Sequence, residues 1–290
     1  MEQESGSQSV TCLVCGGQQF VPQCSNILLR CTQCNFVTAN VQLNEQAIRE
    51  IYSEKYFAGE EYEDYVRDKS MLQKNFSARL KKIFSVVPQN QITEVVEIGC
   101  AYGFFGELIK IKIPHAAYLG FDASTEAVSF AKEKLGLNVS AENYLVWNEE
   151  KKFTDIFMWD VIEHLEHPDK FIEKINQDSV SGSRLYITTG DIGSWLARRQ
   201  GCKWRMIHPP SHLHYFSKDT ITKLLKKNGF TVKKIFYSTT SRSVKGIFYS
   251  LFMLKKNYPW WVEKMYTAIP ENLSIAVNTF DIMFVIAEKD

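Results

Sequence analysis

No run of about 20 uncharged apolar residues occurs in this 290-residue chain, so no membrane-spanning helix is expected. The longest greasy stretch, Gly246 to Leu254, is too short. The opening MEQESGSQSV has neither the basic start nor the apolar core of a secretory signal, and the cytoplasm is the expected compartment. A basic excess is also missing: 34 Lys and Arg against 33 Asp and Glu leave a formal net charge of +1. That argues against a dedicated nucleic-acid binder. The chain is not poor in apolar residues, at 45% hydrophobic and 13% aromatic, which excludes a disordered polar polymer. It has no internal repeat and no low-complexity segment. Its length suggests about two domains.

The seven cysteines are unevenly placed. Cys12-Leu-Val-Cys15 and Cys31-Thr-Gln-Cys34 give the spacing C-x2-C-x15-C-x2-C. Each short turn aims two thiolates at one point. Two such turns joined by a small hairpin supply four sulfurs in a tetrahedron, which suits zinc. In a reducing compartment, metal ligation is favoured over disulfides. Redox-active pairs are the competing reading, but such motifs usually stand alone at the start of a helix. Gly16-Gly17 fits a turn that bends tightly under a metal. The segment has too little apolar content to fold alone, so the metal would supply its folding energy. Cys24 is expected to be a spare thiol, and Cys202 has no assigned task. Arg30 is the one basic residue of segment 11–40, so the ribbon has little with which to neutralise phosphates. A structural or substrate-contacting role is expected instead.

The chain divides into a polar tail (1–10), a zinc ribbon (11–40), a charged, tyrosine-rich helical linker or lid (41–90), and a large domain (91–290). In the large domain, short β-rich runs alternate with helical segments, which predicts a parallel sheet covered by helices. The strand candidates are Glu94–Ile98, Ala117–Phe121, Thr154–Trp159, Arg184–Thr188, Thr231–Tyr237 and Asp281–Ala287. The helix candidates are Gly103–Lys112, Ser124–Leu135, Pro168–Gln177 and Lys218–Asn228. Ser217 caps the last helix, and Gly229 follows it. An aromatic insertion at 241–278 interrupts the alternation.

One strand runs into the loop Glu97-Ile-Gly99-Cys100-Ala101-Tyr-Gly103 and then a helix. Such a loop lets a ligand approach the backbone closely. The dinucleotide fingerprint GxGxxG does not fit, because Ala101 and Phe104 occupy its second and third glycine positions. The next strand ends in Asp122-Ala123, where an acid can accept hydrogen bonds from ribose hydroxyls.

This order of motifs resembles the class I S-adenosylmethionine-dependent methyltransferases, whose first motif reads ExGxGxG. Here Ala101 stands for the middle glycine, which slightly narrows the space near the cofactor. The resemblance implies a doubly wound, mostly parallel, seven-stranded Rossmann-like α/β sheet preceded by the ribbon. It implies S-adenosylmethionine contacts from Glu97, Gly99, Cys100, Ala101, Gly103, Asp122, Ala123 and Asp160, with Glu142 or Asn143 near the adenine. The segment Asp155 to Pro168, with Asp160, His164 and His167, looks like the fourth strand and its loop. The segment His212-Leu-His214-Tyr-Phe-Ser is similar to a substrate-side element. Tyr52, Tyr56, Tyr62 and Tyr65 look like members that carry an N-terminal zinc ribbon. The resemblance spans residues 11–240.

Methyl transfer is an in-line displacement that depends on alignment. A hydroxyl or amine acceptor also needs a base, and a histidine suits that task. His164 and His214 are the candidates, since both fall at carboxyl ends of strands. His212 and His214 could instead form a metal pair, because alternate strand residues share a face, but two ligands make no site without a third. Trp195, Arg198, Arg199, Lys203, Trp204 and Arg205 form a basic, aromatic loop. It could hold an anionic acceptor, grip a single strand, or be plain solvated surface. The segment 246–261 reads either as a helical cover over the cleft or as a surface for a membrane or lipid-linked acceptor.

The expected function is methylation of oxygen or nitrogen on a small-molecule or sugar-type acceptor, with S-adenosylmethionine and zinc as cofactors and no nucleic-acid partner. The alternatives are carbon methylation of a deoxysugar-type substrate, an RNA methyltransferase, or a non-enzymatic cofactor-binding regulator.

Overall fold

The computed structural model describes residues 11–41, 65–253, 258–270 and 273–290. The polar tail and the motif tyrosines Tyr52, Tyr56 and Tyr62 lie outside the described residues.

The N-terminal segment forms three short strands, β1 (Phe20–Gln23), β2 (Leu28–Cys31) and β3 (Val37–Ala39). Helix α1 (Lys69–Phe84) follows within the expected linker. The alternating region then gives β4 (Glu94–Ile98), α2 (Phe104–Lys112), β5 (Ala117–Phe121) and α3 (Thr125–Leu135). It continues with β6 (Val139–Ser140), β7 (Phe153–Trp159), α4 (Pro168–Gln177) and β8 (Ser179–Gly190). Beyond these come α5 (Trp195–Gln200), β9 (His214–Tyr215), α6 (Lys218–Lys227) and β10 (Phe230–Tyr237). The insertion holds β11 (Thr240–Ser243), α7 (Val244–Phe248), α8 (Trp260–Ala268) and β12 (Ser274–Val277), before β13 (Ile282–Lys289).

Seven strands form the central sheet in the order β10-β13-β8-β7-β4-β5-β6. All neighbours from β8 to β6 are parallel, and β13 runs antiparallel to both β8 and β10. This is the Rossmann-like fold. The central strands are covered on both faces and therefore read as mostly apolar runs. Alternation sends Val96, Ile98, Ile156 and Met158 to one face. It sends Val95, Phe157, Trp159 and Tyr186 to the other. The chain order reverses at β4, which has β5 on one side and β7 on the other. The crevice outside the carboxyl ends at such a point is where ligands bind in open α/β sheets.

Local sequence explains the element ends. The Ser124 side chain accepts from the Ala127 amide, and Gly136 closes the same helix in the left-handed region. Ser217 and Thr220 form a reciprocal cap on α6. Pro168 starts α4, where its missing N–H costs nothing.

The ribbon is not a separate bead. β1, β2 and β3 join β9 in one antiparallel four-stranded sheet, with Thr38 opposite His214 and Val37 opposite Tyr215. Cys12, Cys31, Cys34 and Phe36 share an apolar core with Phe216, Ile221 and Leu224 of the large domain. Segment 11–40 thus borrows the core that its own composition lacks. Two expectations are corrected here. Cys24 is not a spare thiol, and Cys202 is not idle; they form a disulfide that ties the ribbon to the loop after α5. In the insertion, β11 and β12 pair as an antiparallel two-stranded ladder, with α7 and α8 between them. Asn75 of α1 grips that ladder through the Ser241 amide and carbonyl at 2.7 and 3.1 Å. No helix among the described residues is long and apolar enough to cross a membrane.

Phe36 is 1% exposed and packs against His214 and Phe216 with ring centroids 5.5 and 5.4 Å apart. Phe36→Ala is expected to cost about 3–5 kcal/mol, as for a large aromatic removed from a core. Denaturant unfolding should show ribbon and sheet lost in one transition. A ribbon that melts separately, with the large domain unchanged, would contradict the shared core.

Candidate functional site

The glycine loop at the switch point is held from below. Both the Gly99 and Cys100 amides donate to the Phe121 carbonyl, at 2.7 and 3.0 Å. The Ala101 amide donates to Asp122 Oδ2 at 2.7 Å, and the Ser124 amide donates to Asp122 Oδ1 at 2.9 Å. Asp122 thus joins the ends of β4 and β5, and each of its oxygens keeps a lone pair for a further donor. Burial raises its carboxyl above the usual range, while the two amides pull it back down. Ala123 beside it is exposed.

Gly99, Ala101 and Gly103 all adopt positive φ, at 76°, 45° and 77°. The glycines serve packing as much as ligand approach. A Cβ on Gly99 would sit 2.3 Å from Val161 Cγ2, and one on Gly103 would sit 2.7 Å from Leu137. Ala101 holds a left-handed conformation that a non-glycine residue rarely takes, and the Asp122 clamp maintains it. Cys100 is buried among Val128, Ala131, Leu137 and Val139 as a small filler.

Glu97 lies beneath the loop at 2% exposure and accepts a 2.5 Å hydrogen bond from the Tyr118 hydroxyl. Burial pushes its carboxyl well up, Tyr118 opposes this, and the charge of Asp122 adds to it. Tyr102 donates to Glu126 and stacks on Tyr65, the one motif tyrosine among the described residues. Glu142 and Asn143 are exposed on the loop after β6.

Across the switch point, Asp160 ends β7 with φ at 56°, and its amide donates to the Thr188 carbonyl and hydroxyl. Arg79 of α1 pairs with its carboxylate at 3.2 Å and lies over the Trp159 ring. Arg79 was not expected at the site, because no spacing in the sequence links it to Asp160.

The next turn brings Glu163 and His164 beside His212. The His164 and His212 rings meet edge to face at 4.5 Å, and His208 lies against His212 at 3.8 Å. His164 Nδ1 donates to the Ser211 carbonyl at 2.8 Å, and His212 Nδ1 donates to the Met206 carbonyl at 2.9 Å. Burial lowers both, to about 4 for His164 and about 2 for His212, so both rings are neutral at neutral pH. His164 is therefore a weak proton acceptor. Burial, with the nearby Asp160 charge, pushes Glu163 up to about 8.

The expectation for His214 is corrected. Its side chain turns to the ribbon, with Nδ1 3.2 Å from the Thr38 hydroxyl and Nε2 3.3 Å from the Glu166 carbonyl. Both ring nitrogens are engaged in joining ribbon to sheet. The His212–His214 metal pair falls for the same reason, since only His214 of the two lies on a strand. His167 sits half-buried at the N-cap of α4. The basic loop also divides. Buried Trp204 donates from Nε1 to Asp281 at 2.8 Å, and Arg205 pairs with the same carboxylate. These two residues anchor the loop, whereas Trp195 stays 69% exposed.

The second constellation is in the ribbon. The Sγ atoms of Cys12, Cys15, Cys31 and Cys34 all lie within 4.8 Å of one another. Cys12–Cys34 and Cys15–Cys31 are 3.5 and 3.6 Å apart and unbonded. A tetrahedron with Zn–S of about 2.3 Å has edges of about 3.8 Å, so the sulfurs fit the ion. Burial raises Cys12 to about 11 and Cys34 further, so an entering metal must displace protons there.

Comparison with known proteins follows the geometry. A family model described as a methyltransferase domain matches residues 63–235. No curated protein matches the chain by sequence. Among solved structures, a methyltransferase from Thermotoga maritima, described as a possible histamine N-methyltransferase, is 16% identical with a TM-score of 0.51. That match covers 84% of this chain and 98% of the other. A putative methyltransferase from Haloferax volcanii, solved with a methyltransferase activator, is 14% identical with a TM-score of 0.52. It covers 77% of this chain and 93% of the other. A putative sarcosine dimethylglycine methyltransferase from Galdieria sulphuraria is 14% identical with a TM-score of 0.50, covering 76% and 85%. At such identities these similarities speak for the fold.

Gly99→Ala is expected to cost about 2–4 kcal/mol, from strain at positive φ and the clash with Val161. Adding Val161→Ala should recover part of that loss in denaturant melts. Full stability of the single variant would contradict the packing.

Proposed function

We propose, on the premise that this chain belongs to the methyltransferase-domain family, that it moves a methyl group from S-adenosylmethionine to oxygen or nitrogen of a small polar acceptor. The observation that carries this reading is the Asp122 clamp. It fixes the left-handed glycine loop and keeps a partly exposed carboxylate at the switch point, where adenosine hydroxyls need an acceptor.

S-adenosylmethionine, when bound, supplies an electrophilic methyl group. The rest of the work falls to this chain. Gly99 to Gly103 and Asp122 would hold the nucleoside, and the N-terminus of α2 closes the loop. Asp160, neutralised by Arg79, and the turn through Val161 to His164 would shape the acceptor side. Alignment of the two reactants is the main catalytic contribution that such a site makes.

The four cysteines are proposed to hold one structural zinc. A site closed by four thiolates leaves no open position for chemistry. Its ribbon positions β9, and through β9 the loop that carries His208 and His212. The acceptor is proposed to be a small metabolite or sugar-type intermediate, with the exposed Trp195 and the basic Arg198 and Arg199 of α5 available to an anionic group.

Calorimetry with S-adenosylhomocysteine tests the cofactor reading. The folded chain should bind it, and Asp122→Ala should weaken binding at least tenfold, since a hydrogen-bonded carboxylate contributes about 1.5–3 kcal/mol. Folded protein that does not bind would overturn the reading. Elemental analysis tests the ribbon: Cys34→Ser should lose one zinc per chain, and unchanged zinc content would count against it.

A further inference from the structure

Three electron-pair donors converge at the end of β7 that cofactor binding does not employ. A Glu163 oxygen and one ring nitrogen each from His164 and His212 lie within 4.8 Å of one another. Glu163 is 2% exposed, and neither carboxylate oxygen makes a hydrogen bond. A buried polar group in that state is rare and calls for an explanation, of which a bound water or ion is one.

The cavity lined by Glu163, His212, Thr189 and Trp204 has room for about one water molecule. A divalent cation bound there would displace the carboxyl proton and take a lone pair from each of the three side chains.

The histidines are already set as ligands. Each gives its Nδ1 proton to a backbone carbonyl, of Ser211 and of Met206. This fixes the tautomer that leaves Nε2 as the lone-pair nitrogen, and metal-bound histidines are oriented by such bonds. Burial keeps both rings neutral, as ligation requires. Two imidazoles and one carboxylate suit a first-row transition ion, whereas magnesium and calcium prefer all-oxygen sites.

We propose that Glu163, His164 and His212 form a second metal site, separate from the four cysteines, for a divalent first-row transition ion. Three protein ligands leave coordination positions open, as at catalytic rather than structural metal centres. His164 is the half-buried member of the three. Val161, two residues before Glu163, packs on Gly99 of the cofactor loop. The ion would therefore face the methyl acceptor, a placement that rests on the methyl-transfer reading. The metal site itself does not.

Cobalt(II) is the probe, because thiolate ligation gives it an intense near-ultraviolet charge-transfer band that nitrogen and oxygen ligation lack. The full-length chain is dialysed against cobalt(II), freed of excess, and analysed for ions per chain and for that band. The expected result is one ion with the band and one without. Glu163→Gln and His212→Ala should weaken binding of the ion without the band at least 100-fold. His167→Gln, on the half-buried neighbouring histidine, should retain it. Cobalt found only with the thiolate band would overturn the proposal, as would an ion without the band that persists in Glu163→Gln. Loss of the thiolate-banded ion alone would count against the zinc ribbon and leave this site supported.

Discussion

The carbonyl of Glu163 accepts two backbone hydrogen bonds, from the Leu213 and His214 amides at 2.9 and 3.1 Å. Much of the candidate site depends on that one oxygen. It pins the loop that follows α5 against the carboxyl end of β7. His212 is thereby brought to the Glu163 and His164 side chains, and His214 is turned the other way, into the ribbon sheet. One residue thus offers its backbone to the architecture and its side chain to chemistry. Strand β9 begins only at His214, so the alternation that would place both histidines on one face does not reach back to His212.

The same junction explains why a small cysteine cluster sits on a large α/β domain. β3 and β9 pair edge to edge, and the Thr38 hydroxyl and the Ala39 amide both reach the Leu213 carbonyl. Phe36 and the buried cysteines complete an apolar layer begun by α6. Metal binding at the proposed ribbon site would therefore be coupled to the placement of the loop that forms one wall of the candidate site. The Cys24–Cys202 disulfide adds a covalent tie between the same two parts. That bond sits uneasily with the reducing compartment expected from the sequence, where such pairs are rarely oxidised for long.

The sheet was legible because parallel central strands must be apolar on both faces. Glu94–Ile98 and Ala117–Phe121 match their expected limits, and Pro168 and Ser217 mark helix starts by their capping chemistry. The cysteine spacing likewise carries its own geometry. The glycine loop could be located, but the role of Gly99 against Val161 could not, since 62 residues separate them. Arg79 over Asp160 and Glu163 beside His212 are long-range meetings of the same kind. The His-Leu-His pattern suggested a shared face only on the assumption of a strand through both residues. The strand begins at His214, and the assumption fails there.

The account as a whole turns on whether the adenosine of the cofactor lies at the Asp122 end of the switch point. A crystal structure of the full chain with S-adenosylhomocysteine decides it. The account predicts ribose hydroxyls within hydrogen-bond distance of the Asp122 carboxylate and the ligand sulfur turned toward the Asp160 to His164 turn. A ligand seated elsewhere on the domain, with Asp122 contacting only the Ala101 and Ser124 amides, would contradict it.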